Sequence, residues 1–343
     1  FLDQENNSVW KLLNDLSSKK GITEVSINKP NRVFVERAGK YIQLNVDLHR
    51  EDIDNFILDV AQINNKECNF EEPILDGSLP DGSRVNIIIP PYSNDFPAIS
   101  IRKYLKNINA FHSSNGAFDI YEKWISFFKA AVAAKVNIIV SGGTGSGKTT
   151  FLNLLLQEIP SDQRIITVED TLELNFNLPN TVRLETSYNP NLKITIQDLV
   201  KNTLRMRPDR IIIGEVRGAE VFDLLQAMNT GHDGSMSTIH ANSPAETLQR
   251  METLFLLAGH DVPYQVVRRQ IASGLNLIVQ ISRHKEGKRI ISEIAEVNGM
   301  EGDTILTSTL AQYEDEGLKT TGIVPKIIDR LHYDGGLPRD FFT

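Results

Sequence analysis

The chain has 343 residues, and its 36 basic against 44 acidic side chains give a formal net charge of −8. Hydrophobic residues at 41% and charged residues at 23% are ordinary for a folded chain, which excludes disordered, collagen-like and coiled-coil compositions, and the length predicts about two domains. The acidic balance weighs against a nucleic-acid binder without excluding a local basic groove, and the single cysteine, Cys68, allows neither an internal disulfide nor a four-cysteine zinc module.

Along the chain, Val9, Leu12, Leu13 and Leu16 recur at helical spacing and predict an amphipathic helix. Ile22–Asn28 predicts a strand. Arg32–Arg37 and Tyr41–Leu44 predict a hairpin around Ala38-Gly39-Lys40. A helix follows over 50–64. The turn residues Leu79-Pro80-Asp81-Gly82-Ser83 lead into a strand over 85–89, with a last short strand over 98–102. Residues 1–104 are therefore expected to form a small α+β domain. The polar stretch 105–118, with Ser113-Ser114-Asn115-Gly116 at its centre, reads as a linker, and 119–343 as a second domain.

In that second domain the pattern changes. A helix over 121–134, the apolar run Ile138–Val140, a glycine-rich stretch and a helix over 149–158 follow one another. Arg164–Val168 and Arg210–Ile213 are further buried runs. Short apolar runs alternating with helices predict a parallel α/β sheet. Thr171–Asn191 has no clear period and is expected to be irregular. Val221, Leu224, Leu225 and Met228 mark a helix closed by Gly231. Ser243-Pro244-Ala245-Glu246 reads as a capping box opening another helix, with Leu248, Met251 and Phe255 inward and Gly259 at its end. Leu275–Ile281 and Ile290–Val297 are expected to pair as a hairpin. No stretch approaches the ~18 apolar residues of a membrane span, and the opening Phe1-Leu2-Asp3 is neither a signal peptide nor a Met start, as expected of a fragment.

Gly142-Gly143-Thr144-Gly145-Ser146-Gly147-Lys148-Thr149 fits G-x-x-x-x-G-K-[ST], between a predicted strand and a predicted helix. Such glycines let backbone N–H groups turn inward onto phosphate oxygens, and the helix N-terminus adds its positive end. Lys148 supplies a charge to the β- and γ-phosphates, Thr149 a hydroxyl for Mg2+, and Thr150 extends the site into the first helical turn. ATP and Mg2+ are the expected ligands.

A phosphate-loop protein carries an acid at the tip of a neighbouring strand. In Arg210-Ile211-Ile212-Ile213-Gly214-Glu215 the usual Asp position is filled by Gly214, leaving Glu215 as the expected water-positioning base or Mg2+ partner. Glu169 at the end of Thr167-Val168-Glu169-Asp170 is the second expected acid for water or metal, with Asp170 and Glu173 behind it. His232 and His240, in a stretch rich in hydroxyls, are candidate readers of the γ-phosphate, against a reading as structural histidines.

These four stretches, in this order, resemble the Walker A, Asp box, atypical Walker B and His box of secretion-superfamily traffic ATPases. Within that superfamily the chain looks most similar to the CpaF/TadA branch that powers tight-adherence (type IVc) pili. The supporting stretches are Leu-Pro-Asp-Gly-Ser-Arg84, Ala-Ile-Ser-Ile-Arg102, Leu204-Arg205-Met-Arg207-Pro-Asp, Gln226-Ala-Met-Asn-Thr-Gly-His, and the closing Gly-Leu-Pro-Arg-Asp-Phe-Phe. VirB-type ATPases of type IV secretion are close relatives and the alternative reading. Hexameric helicases and non-hydrolysing nucleotide-sensing adaptors are more distant ones. The resemblance implies a RecA-like core behind a smaller PAS-like α+β domain, assembled as a homohexamer. It also implies phosphate-reaching arginines, Arg84 and Arg102 from the N-terminal domain, then Arg205, Arg207 and Arg217, some acting on a neighbour's site. The implied machine is a cytoplasmic motor held to the inner membrane by integral platform proteins, without direct nucleic-acid contact.

Overall fold

The computed structural model describes residues 7–19, 21–37, 40–103, 118, 120–189, 192–259, 262–284, 288–314 and 317–343. Of the expected linker, only Phe118 falls among them. The chain divides into two compact units, Phe1–Lys106 and Asn107–Thr343.

The first unit contains α1 (Ser8–Ser17), β1 (Ile22–Lys29), β2 (Arg32–Arg37), β3 (Lys40–Leu44), α2 (Arg50–Ile63), β4 (Ile74–Ser78), β5 (Arg84–Ile88) and β6 (Ala98–Arg102). Asn7 caps α1, its Oδ1 accepting from the N–H groups of Val9 and Trp10. The strands pair in the order β3-β2-β1-β6-β5-β4, all antiparallel. Alternate residues Val25, Ile27, Val33, Val35, Val85, Ile87, Ile99 and Ile101 are buried with Val9, Phe56 and Val60 of the helices. The sheet is therefore one-sided, with a core face and a polar face. Strand β4 was not expected from the sequence, because Ile74–Ser78 exposes Ile74 and carries Asp76 and Gly77.

The second unit contains, in order, α3 (Glu122–Ala133), β7 (Ile138–Gly142), α4 (Lys148–Leu156), β8 (Ile165–Glu169), β9 (Thr181–Glu185), β10 (Ser187–Asn189), β11 (Leu192–Ile194) and α5 (Ile196–Thr203). Then follow β12 (Arg210–Val216), α6 (Glu220–Asn229), β13 (Met236–Ile239), α7 (Pro244–Leu257), α8 (Tyr264–Gly274), β14 (Leu277–Arg283), β15 (Arg289–Glu301), β16 (Thr304–Glu314), β17 (Gly317–Thr320) and α9 (Ile328–Tyr333). The main sheet runs β17-β16-β15-β14-β7-β13-β12-β8-β9. From β14 to β9 every pair is parallel, and β14, β15, β16 and β17 form an antiparallel extension.

Both faces of the parallel part are covered, as the continuous apolar runs require. Ile138, Val140, Ile212 and Val279 pack with Phe128, Phe151 and Leu155 on one side. Ile139, Ile211, Ile213, Val168 and Ile278 pack with Leu224, Met251, Phe255 and Ile271 on the other. This is a mixed α/β fold with a RecA-like core.

Three details depart from expectation. Part of the stretch expected to be irregular, Thr181–Glu185, is β9, an edge strand parallel to β8. Val182 and Leu184 alternate there with the exposed Arg183 and Glu185, a strand signal of only two apolar residues, too short to stand out in the sequence. The polar-looking Met236–Ile239 is a fully buried central strand between β12 and β7. The capping box on α7 is half made: Ser243 accepts from Glu246 N–H, but the Glu246 carboxylate takes the N–H of Asn242 instead.

Candidate functional site

The parallel strands all end on one edge of the sheet, so their tips and the loops that follow share that edge. The phosphate loop leaves β7 there. Gly147 has φ 103° and is the N-cap of α4; it carries no side chain to bond the first-turn N–H groups, which face outward for a ligand. Lys148 Nζ donates to Gly142 O and Gly143 O, each at 3.0 Å, folding the ammonium back over the loop. Ser146 Oγ is buried with no hydrogen-bond partner among the described residues. Thr149 and Thr150 are half-buried in the first turn. An uncapped helix start, a folded-back lysine and an orphaned hydroxyl fit a nucleotide triphosphate with its Mg2+.

The two acids take different positions. Glu169 ends β8 and is 2% exposed. Its Oε1 accepts from the N–H groups of Glu173 (2.7 Å) and Leu174 (2.8 Å), and its Oε2 lies 3.4 Å from Arg183 Nη2. Burial raises its pKa, against the pull of those donors. Oε1 takes two backbone donors and Oε2 makes one long contact, so Glu169 braces the loop after β8 to edge strand β9. Glu215 instead pairs with Arg217, at 2.7 Å from Nε, and the same guanidinium reaches Asp170 Oδ2 at 3.7 Å.

The glycine before Glu215 has a physical cause. A Cβ at Gly214 would sit 3.2 Å from Glu169 Cγ, tighter than packed side chains normally tolerate. Thr238 Oγ1 of β13 donates to Gly214 O at 2.8 Å, so the tips of β8, β12 and β13 are locked together. The sequence expectation placed the Glu215 strand beside the phosphate-loop strand; β13 lies between them.

Strand direction separates the two histidines. His240 follows β13 and is exposed on the phosphate-loop edge. His232 precedes β13, on the opposite edge, where β7 begins: Gly234 and Ser235 N–H groups donate to Asn137 Oδ1. Its Nδ1 is buried without a partner among the described residues. His232 therefore cannot read the γ-phosphate at this chain's own loop. Arg205 and Arg207, exposed ahead of β12, lie on that far edge too, away from this chain's own phosphate loop. In the first unit, Arg84 and Arg102 are direct cross-strand partners between β5 and β6, with Glu24 opposite Arg102 on β1. They share the polar face of the sheet.

Sequence reasoning missed several residues. Gln280, 3% exposed, accepts from Ser141 Oγ on β7 and donates to Ala241 O beside His240 at 3.2 Å, tying the loop after β13 to the phosphate-loop strand. A Gln inside the apolar run Leu277–Ile281 was the available signal. Arg283 Nε donates to Gly145 O at 2.9 Å, and Arg289 lies against Gly147. Arg283 ends β14 and Arg289 opens β15, both far along the sequence from the motif.

With fold and site in place, the chain meets known proteins. The family model described as Type II/IV secretion system protein matches residues 5–309, and the chain belongs to that family. It is 33% identical over 299 residues to the conjugal transfer protein TrbB of Rhizobium radiobacter, covering 86% of this chain and 90% of that protein. It is 32% identical over 306 residues to the type IV secretion system protein VirB11 of Brucella suis biovar 1, covering 80% and 85%. Among solved structures, the pilus retraction motor PilT with bound ADP aligns with TM-score 0.61 at 20% identity, covering 94% of this chain and 84% of that one. The Legionella pneumophila ATPase DotB aligns with TM-score 0.59 at 19% identity, covering 90% and 82%. The last two likenesses speak to the fold. No helix among the described residues is long and apolar enough to cross a membrane.

Proposed function

We propose that the chain is an ATP-hydrolysing motor of a type IV secretion system, of the conjugative TrbB and VirB11 kind. The observation that carries this reading is the 32–33% identity to those relatives over 80–86% of the chain, together with a complete phosphate loop and Glu215 on one sheet edge. The resemblance to the CpaF/TadA pilus branch rests on short stretches, whereas the conjugal and type IV secretion relatives span four fifths of the chain or more. The conjugative reading therefore replaces the pilus reading as the main one.

In this reading Lys148 and the loop amides hold the phosphates, and Thr149 would hold Mg2+, which would supply positive charge to offset that of the phosphates. Glu215 orients the attacking water once Arg217 releases it. Glu169 keeps the neighbouring loop in place, and His240 meets the γ-phosphate through the strand tip that Gln280 ties to β7. Arg84, Arg102, Arg205 and Arg207 are the candidate phosphate-reaching arginines of a homohexameric ring. The motor works in the cytoplasm against integral inner-membrane partners.

The test is Mg-ATP hydrolysis per subunit against protein concentration, with Lys148→Ala alongside. Activity that rises to a plateau and vanishes in the variant supports a ring with shared sites. Wild-type activity no higher than the variant's rejects the motor reading. A strain lacking the chain then separates the machines: loss of DNA transfer supports the conjugative reading, and loss of surface pili alone rejects it.

A further inference from the structure

Gly147 is the point on which two side chains from distant parts of the second unit converge. A Cβ there would meet Arg289 Cδ at 2.9 Å, Phe118 Cζ at 3.0 Å and Arg289 Nε at 3.3 Å. Phe118, ahead of α3, is half-buried and packs edge-on against Phe151 of α4, with ring centroids 5.4 Å apart and planes at 71°. Arg289 starts β15 and stands opposite Arg283 in the β14–β15 register. Arg283 holds the hairpin to the loop through Gly145 O, and its guanidinium would lie 3.3 Å from a Cβ at Gly145.

We infer that Phe118 and Arg289 form the platform on which the base of the bound nucleotide stacks. This rests on the nucleotide-binding reading above and adds the part of the ligand that the phosphate loop does not touch. The loop and Lys148 account for the phosphates, and what remains of the ligand is its sugar and aromatic base, which the side chains at the first turn of α4 would receive. An aromatic ring and a guanidinium, side by side at that turn, offer the π-face and the cation that a base face attracts. Both recognise area rather than a particular hydrogen-bonding edge, so the platform favours purines over pyrimidines and separates ATP from GTP weakly. Phe118 is held by its T-shaped contact with Phe151, so it meets a ligand without the entropy cost of fixing a loose ring.

The experiment is calorimetric binding by the full chain of ATP, GTP, CTP and inorganic tripolyphosphate, each with Mg2+. Wild type is compared with Phe118→Leu, Phe118→Trp and Arg289→Gln. The leucine keeps apolar packing and removes the aromatic face; the tryptophan restores it. The expected result is a roughly tenfold weaker ATP affinity for Phe118→Leu, restored by Phe118→Trp, with tripolyphosphate binding changed less than about twofold. Arg289→Gln is expected to weaken ATP and GTP more than CTP. Equal losses for ATP and tripolyphosphate, or no loss for either, would overturn the platform while leaving the phosphate site standing. Absence of both ligands from the wild-type chain would overturn the nucleotide-binding reading itself, and the platform with it.

Discussion

The two edges of the parallel sheet are built from similar residue types and do opposite things. At the edge where the strands end, the backbone is glycine-rich, α4 starts without a side-chain cap, and Lys148, Glu215 and His240 are reachable. At the edge where they begin, several polar side chains brace the structure, although His232 Nδ1 and one Arg210 nitrogen, Nη1, are buried without a partner among the described residues. Arg210 is fully buried, donating to Val132 O at 2.7 Å and to Gln163 Oε1 at 2.6 Å, and burial lowers its pKa to about 10. Arg330 donates to Ala134 O and Lys135 O, closing the end of α3 with Arg210. Asn137, 2% exposed, bonds Gly234, Ser235 and Gly274. Arg210 and Arg330 thus act as braces at the end where the strands begin, whereas His240 lies exposed at the end where they stop. Helix starts and strand tips converge at one edge, and carbonyl-rich helix ends gather at the other.

This contrast can be broken by substitution. The largest effect is expected at the strand tips: Glu215→Gln should lower ATP hydrolysis about 10²–10⁴-fold with little change in the urea unfolding midpoint. The far edge should respond in the opposite currency. Arg210→Leu should cost about 3 kcal/mol of stability, read from urea unfolding, because Val132 O loses its charged donor inside a packed core. Its ATP affinity per folded molecule should stay at the wild-type level, and a specific loss of affinity would erase the distinction between the edges.

The histidines sharpen it. His240→Ala should reduce hydrolysis by about tenfold or more, and His232→Ala should leave nucleotide affinity in the isolated chain unchanged. Gly214→Ala is expected to cost about 1–3 kcal/mol by pushing Glu169 off its backbone donors, with hydrolysis falling in parallel.

The smallest effect is in pH dependence. Glu169 has its folded pKa raised by burial above the ordinary 4.5. The native state then keeps a proton that the unfolded chain has released, so stability falls as pH rises from about 4.5 to the folded pKa. Glu169→Gln removes that slope. Unfolding across this window should show the variant gaining on wild type as pH rises, while Glu296, raised for the same reason, cancels in the difference. A variant that instead loses ground to wild type as pH rises would mean that the Glu173, Leu174 and Arg183 donors outweigh burial.

Much of this was legible in local sequence. The phosphate loop announces itself because its glycines, lysine and threonine must be consecutive to wrap one phosphate. The helices α6 and α7 were readable because Val221, Leu224, Leu225, Met228 and Leu248, Met251, Phe255 repeat at helical spacing, and their burial follows from that repeat. Strand β13 was not readable, because Ser237 and Thr238 are buried between two strands and bond upward to Gly214 O or within their own strand. Strand β9 was hidden by its edge position. Arg283, Arg289 and Gln280 act on the phosphate loop from more than 130 residues away, and no spacing rule joins them to it.

The sequence by itself determined the chemistry and its local scaffolds: a phosphate-binding loop, an acid one residue late, and alternating helices and apolar runs. These depend on neighbours along the chain, where hydrogen bonding, capping and periodicity act. Only the tertiary structure decided which edge each residue occupies, why Gly214 stands where an acid is usual, and that Glu169 is a brace. Those outcomes depend on strand order and direction, which are set by packing two apolar faces against helices. They bring together residues whose separation in sequence carries no information about their distance in space.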